Sequence, residues 1–110
     1  MDHTIKHNSD KVEEKILALP VALAARYVVL TSRMVDVGAN LGPLHTHSMG
    51  DGLFELRLKS AEGIAKVFLC TLIGRHIIML HSFVKKTPKT PQREIKVAQT
   101  RMKEIKHANS

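Results

Sequence analysis

A set of cations in the second half of the chain has the residue types and spacing for chemistry on a phosphate. Arg57 lies within LFELRLKS, Lys66 is the one charge in IAKVFLCTLI, and Lys85 and Lys86 close the run HIIMLHSFVKK. Lys89 and Arg93 follow in TPKTPQREI. A phosphate held by several cations has its charge stabilised as that charge builds during cleavage, and the same cations bind nucleic-acid backbone. Lys66 is the most informative of them, because a charge set in an apolar strand needs a reason to be there. His81 adds an imidazole that titrates in the range useful for proton transfer, although a hydrogen-bonded histidine in a packed strand fits the position equally well. Lys59 and Arg75 extend the basic set.

The elements that must position these residues are legible from periodicity. In LFELRLKS, Phe54, Leu56 and Leu58 alternate with Glu55, Arg57 and Lys59, the pattern of a half-buried strand. SAEG is turn material, IAKVFLCTLI a second strand, Gly74 with Arg75 a turn, and HIIMLHSFV a third strand. Short turns make the three an antiparallel meander, which can bring Arg57, Lys66 and Lys85 to one side of a sheet, although Arg57 and Lys59 taken singly also fit a solvated outer face. Thr90 then caps, Pro91 takes the first helical position, and Ile95, Ala98, Met102 and Ile105 form one face of a closing helix. Pro88 and Pro91 restrict the intervening loop, so Lys85, Lys86 and Lys89 lose less entropy on meeting an anion.

Upstream, HTIKH suits an edge strand. Asp10 with Glu13 reads as a capping box for a short helix with Val12, Ile16 and Leu17 on its apolar face. Pro20 opens a second helix, with Leu23, Tyr27, Leu30, Met34 and Val37 on one stripe and Gly38 as its stop. The two helices form a hairpin closed by Ala18 to Pro20, and Gly38 to Gly52 reads as a loop. The expectation is one α+β domain over residues 1–110, a helical hairpin packed on a small antiparallel sheet with a C-terminal helix.

Composition bounds the partners. The chain has 110 residues, 44% of them hydrophobic, and a net charge of +7. Residues 1 to 56 carry a net −2 and residues 57 to 110 a net +9, so the whole basic excess lies in the second half and points to a polyanion or an acidic protein. No run has the roughly 18 apolar residues of a membrane span, and the polar opening MDHTIKHNSD is no secretory signal, which gives the expectation of a cytoplasmic protein without a membrane partner. The single cysteine, Cys70, sits in the apolar run VFLCTLI and reads as a core thiol. His45 and His47 are spaced H-x-H, yet no cysteine or nearby carboxylate pair completes a tetrahedral set, so no metal site is expected. Phosphate-loop, nucleophile-elbow and zinc-protease motifs are absent from the sequence.

Two stretches carry a resemblance. DGLFELR, Asp51 to Arg57, and LHSFVKKTPKTP, Leu80 to Pro91, stand in this order ahead of an amphipathic helix. Together they resemble the HigB-like, phage-related branch of the RelE/ParE toxin superfamily of type II toxin-antitoxin systems. The resemblance implies the compact sheet-and-helix fold derived above and a toxin paired with a helix-turn-helix antitoxin, through which alone operator DNA would be reached. It also implies a ribosome-dependent endoribonuclease that cuts mRNA by attack of the RNA 2′-hydroxyl on the neighbouring phosphate, with no metal or other cofactor.

Carried onto this chain, the resemblance implies that Arg57, Lys66 and Lys85 stabilise the transition state and that His81 is a candidate for proton transfer. Lys59, Arg75, Lys86, Lys89 and Arg93 would grip RNA backbone. Where relatives commonly place an arginine and then an aromatic in the second strand of the meander, this chain has Lys66 and Leu69. Its one tyrosine, Tyr27, belongs to the helix stripe rather than the C-terminus. The alternatives are a ParE-like, non-enzymatic inhibitor of DNA gyrase acting through the helical hairpin, and a degenerate toxin that only binds its antitoxin.

Overall fold

The computed structural model describes residues 2–72 and 75–108. In chain order the elements are β1 (Thr4–His7), α1 (Asp10–Leu17), α2 (Val21–Val37), β2 (Thr46–Gly50), β3 (Leu53–Ser60), β4 (Gly63–Leu72), β5 (His76–Val84) and α3 (Gln92–Ala108). The strands form one sheet in the order β1-β5-β4-β3-β2, antiparallel except for the parallel pair β1 and β5. The α+β fold and the β3-β4-β5 meander agree with the sequence. The turn assigned to Gly74, and the last residue of the second predicted strand, Ile73, lie outside the described residues.

Alternation along each strand divides two cores. On one face, Ile16, Leu23, Leu30 and Met34 of the helical hairpin pack on Leu56, Leu58, Val67 and Met79. On the other, Ala98 and Met102 of α3 pack on Leu53, Phe68, Cys70, Leu80 and Phe83. The sheet is therefore a middle layer, with α3 opposite the hairpin. Cys70 is fully buried there, and burial pushes its thiol upward, which suits a core residue and not a nucleophile.

Several local details differ from expectation, among them Leu17 and Val37, expected on the apolar helix faces but exposed at the last residues of α1 and α2. The cap of α1 is Ser9, whose hydroxyl accepts from the Val12 N–H at 3.2 Å, so Asp10 is the first helical residue. Pro20 and Pro91 each stand just before their helix rather than inside it. Pro20 has no side-chain acceptor to cap with, and Glu62 of the β3-β4 turn does so instead, accepting from the Ala22 N–H at 2.7 Å. Finally, the predicted loop from Gly38 to Gly52 contains β2, which pairs antiparallel with β3 and makes the sheet five-stranded, while the parallel pairing of β1 with β5 makes it mixed rather than purely antiparallel. Asp51 and Gly52 both have positive φ, 57° and 86°, as a tight two-residue hairpin requires.

One irregularity in β5 decides where its polar residues point. Phe68 is opposite His81 and Leu69 opposite Met79, which leaves Leu80 as an extra residue, a β-bulge. Strict alternation from Ile78 would send His81 to the hairpin face; the bulge returns His81, Phe83 and Lys85 to the α3 face.

Candidate functional site

Past the N-terminal end of α3, the α3 face of the sheet turns from apolar to charged. Register sets the charges in rows. Arg57 is directly opposite Lys66, which is opposite Phe83. The Arg57 N–H donates to the His45 carbonyl at 2.8 Å, so His45 extends this row on the β2 side. In the neighbouring row His47 faces Glu55, then Phe68 and His81. In the row on the other side, Lys59 is opposite Ile64, whose carbonyl accepts the Lys85 N–H at 2.8 Å. Antiparallel pairing keeps directly opposite residues on one face, which is why residues far apart in sequence share one surface.

A cleft of about 300 Å³ opens over the first two rows, walled by His45, Thr46, His47, Glu55, Arg57 and Lys66. A second cleft, about 340 Å³, adjoins it and shares His45 and Arg57, adding Arg26 of α2, Leu44 and Lys59. The wall carrying the two histidines is fixed by Thr46. Its buried hydroxyl accepts from the Leu41 N–H at 2.9 Å and reaches the Asn40 side chain at 3.2 Å and the Gly42 carbonyl at 3.1 Å. The Thr46 and His45 N–H groups also return to Gly42.

Lys66 does not stand alone. Its ammonium bonds to the Glu55 carboxylate, and both side chains are largely buried. The other Glu55 oxygen lies 3.5 Å from the Thr90 hydroxyl, which ties the start of α3 to the cleft floor. This is the reason a charge is tolerated in an apolar strand: the buried pair is mutually compensated, and an ammonium with three donors retains others for an anion.

His81 is placed differently. It is 7% exposed, with Nε2 2.9 Å from Glu94 and Nδ1 3.5 Å from Arg101, whose guanidinium also donates to the Leu80 carbonyl at 2.7 Å. Burial lowers its pKa, and the Glu94 bond partly offsets that. Its ring nitrogens thus face α3. Tyr27 is similarly committed: its buried hydroxyl is 2.7 Å from the His7 ring, and burial raises its pKa.

Of the residues picked out in the sequence, the fold brings Arg57, Lys66, Lys59 and Lys85 into adjacent rows. Lys86, Lys89 and Arg93 are exposed on the loop and first turn beside them. Arg75 precedes β5, at the opposite end of that strand from Lys85. Glu55, His45, His47 and Arg26 also border the clefts. Glu55 shares the parity of Arg57, a visible signal, but its partner depends on register. The two histidines share one face because β2 is a strand and the Arg57 N–H bond to the His45 carbonyl carries its register one residue further. Among the described residues, no group of three or more His, Cys, Asp or Glu side chains gathers as a metal site would need.

Comparison with known proteins identifies the family. Residues 14–103 match the model of the phage derived protein Gp49-like family (DUF891), a RelE/HigB-like toxin family, and the chain belongs to it. No curated protein matches the sequence. No helix among the described residues is long and apolar enough to cross a membrane.

Proposed function

We propose that this Gp49-like protein is the toxin of a toxin-antitoxin pair and an endoribonuclease that cuts mRNA on the ribosome. The observation that carries this is the pairing of Arg57 with Lys66 on the floor of an open cleft, with Lys59 and Lys85 one row away. Arg57 offers a scissile phosphate two parallel donors, and Lys66, anchored by Glu55, offers a positioned point charge. As the RNA 2′-oxygen closes on phosphorus, negative charge grows on the non-bridging oxygens, where such preorganised cations stabilise it most. Lys85, Lys86, Lys89 and Arg93 hold the flanking backbone, and His81 acts by holding α3 in place.

The expected partners are the ribosome, its mRNA, and a helix-turn-helix antitoxin whose acidic segment neutralises the basic cleft in the cytoplasm. Operator DNA is reached through that antitoxin. Replacing Lys85 and Lys86 together with alanine tests the nuclease function: growth arrest on expression should disappear, and undiminished arrest would contradict it.

One observation favours a second function. Val21, Val28 and Val29 are exposed on α2, as suits a protein-contact surface. A gyrase inhibitor would keep its toxicity without the two lysines and lose it when Val28 and Val29 become serine.

A further inference from the structure

His45 and His47 lie on the same wall of the cleft. They are two residues apart, so their Cα atoms are separated by roughly 6.5 Å on one face of the chain. Each stands in register with the phosphate-binding floor, His45 beside Arg57 and His47 beside Glu55, whose carboxylate holds Lys66. His45 borders both clefts and is half-buried; His47 is exposed. The other groups facing the pair are Lys59 of β3 and Arg26 of α2. Cleavage by a 2′-hydroxyl needs two proton transfers, for which imidazole is the side chain best suited near neutral pH. His81, the other imidazole near this surface, is spent on Glu94 and Arg101.

We propose that His45 and His47 are the acid-base pair of the RNA cleavage, a role that rests on the nuclease function above. The neutral imidazole takes the 2′-hydroxyl proton as the 2′-oxygen forms its bond to phosphorus. The bond from phosphorus to the 5′-oxygen breaks, and the protonated imidazole delivers its proton to that oxygen. The products are a 2′,3′-cyclic phosphate and a 5′-hydroxyl. The two imidazoles end with exchanged protonation states, and water restores them.

The experiment is single-turnover cleavage on programmed ribosomes of an mRNA with one A-site linkage, either ordinary or carrying sulfur in place of the bridging 5′-oxygen. A thiolate leaves without being protonated, so loss of the acid is rescued by the sulfur substrate and loss of the base is not. The full-length protein and its His45→Gln and His47→Gln variants are compared, with ribosome binding and circular dichroism confirming intact structure. Each variant should bind normally and cut the ordinary linkage about 100-fold or more slowly, as loss of one proton-transfer group predicts. One of the two should recover on the sulfur substrate, and each should lose one limb of a bell-shaped pH profile. If the unaltered protein cuts while both variants match it, or if neither variant is rescued, the histidine pair is wrong and the nuclease stands. If the unaltered protein cuts neither linkage, the nuclease function falls and the pair with it.

Discussion

Glu55 and Lys66, eleven residues apart on adjacent strands, are bonded to each other at the floor of the cleft, with little of either exposed. The pair serves packing and chemistry at once: the carboxylate makes the buried ammonium tolerable and also fixes where it points.

Removing one partner should therefore be worse than replacing both. Glu55→Ala leaves an uncompensated charge and should cost about 3–5 kcal/mol in urea denaturation, whereas Glu55→Leu combined with Lys66→Met should recover most of that loss. Lys66→Arg keeps the bond to Glu55 and restores a two-pronged grip on phosphate, so cleavage should rise. Equal stability of the single and double replacements would show that the pair is not coupled.

His81 sets a pH dependence of stability. Burial lowers its folded pKa below the unfolded value, so as pH falls through about 6.5 the unfolded chain takes up a proton that the folded chain resists. Stability contributed by the neutral ring is present above that pH and is lost on acidification down to the folded pKa. His81→Asn should be less stable than the parent at pH 8 and show a smaller further loss between pH 7 and pH 5. Parallel stability curves across that window would contradict this.

The residue leading into β1, His3, meets the hairpin at Gly38, the C-cap of α2. The φ of Gly38 is 95°, and a Cβ there would lie 3.2 Å from the His3 ring, which packs over it. Gly38→Ala should cost about 1–3 kcal/mol, seen as a lower thermal midpoint, with the secondary structure retained. An unchanged midpoint would mean that β1 does not press on this turn.

What the sequence revealed and what it hid have physical causes. Phe54, Leu56 and Leu58 alternate cleanly because β3 is half-buried, so both the strand and the face carrying Arg57 were visible. Edge strand β2 buries only Thr46, and THSMG has no apolar alternation; its one signal was Asp51-Gly52, the residues of a tight hairpin turn. Missing β2 hid the shared face of His45 and His47. The bond between Glu55 and Lys66 depends on register, and the turn of His81 toward α3 depends on a bulge at Leu80; neither is encoded in local pattern. Glu62 as the cap of α2 is a contact across forty residues, beyond any local cue.

The most direct measurement is to map mRNA 5′ ends in a reconstituted translation reaction with the purified protein, with its Arg57→Ala variant, and with ribosomes left out. Cuts that keep codon register, vanish without ribosomes and fall by about 100-fold or more in Arg57→Ala are expected for transition-state stabilisation from this cleft. Intact mRNA in every reaction, or equal cutting by Arg57→Ala, would contradict it.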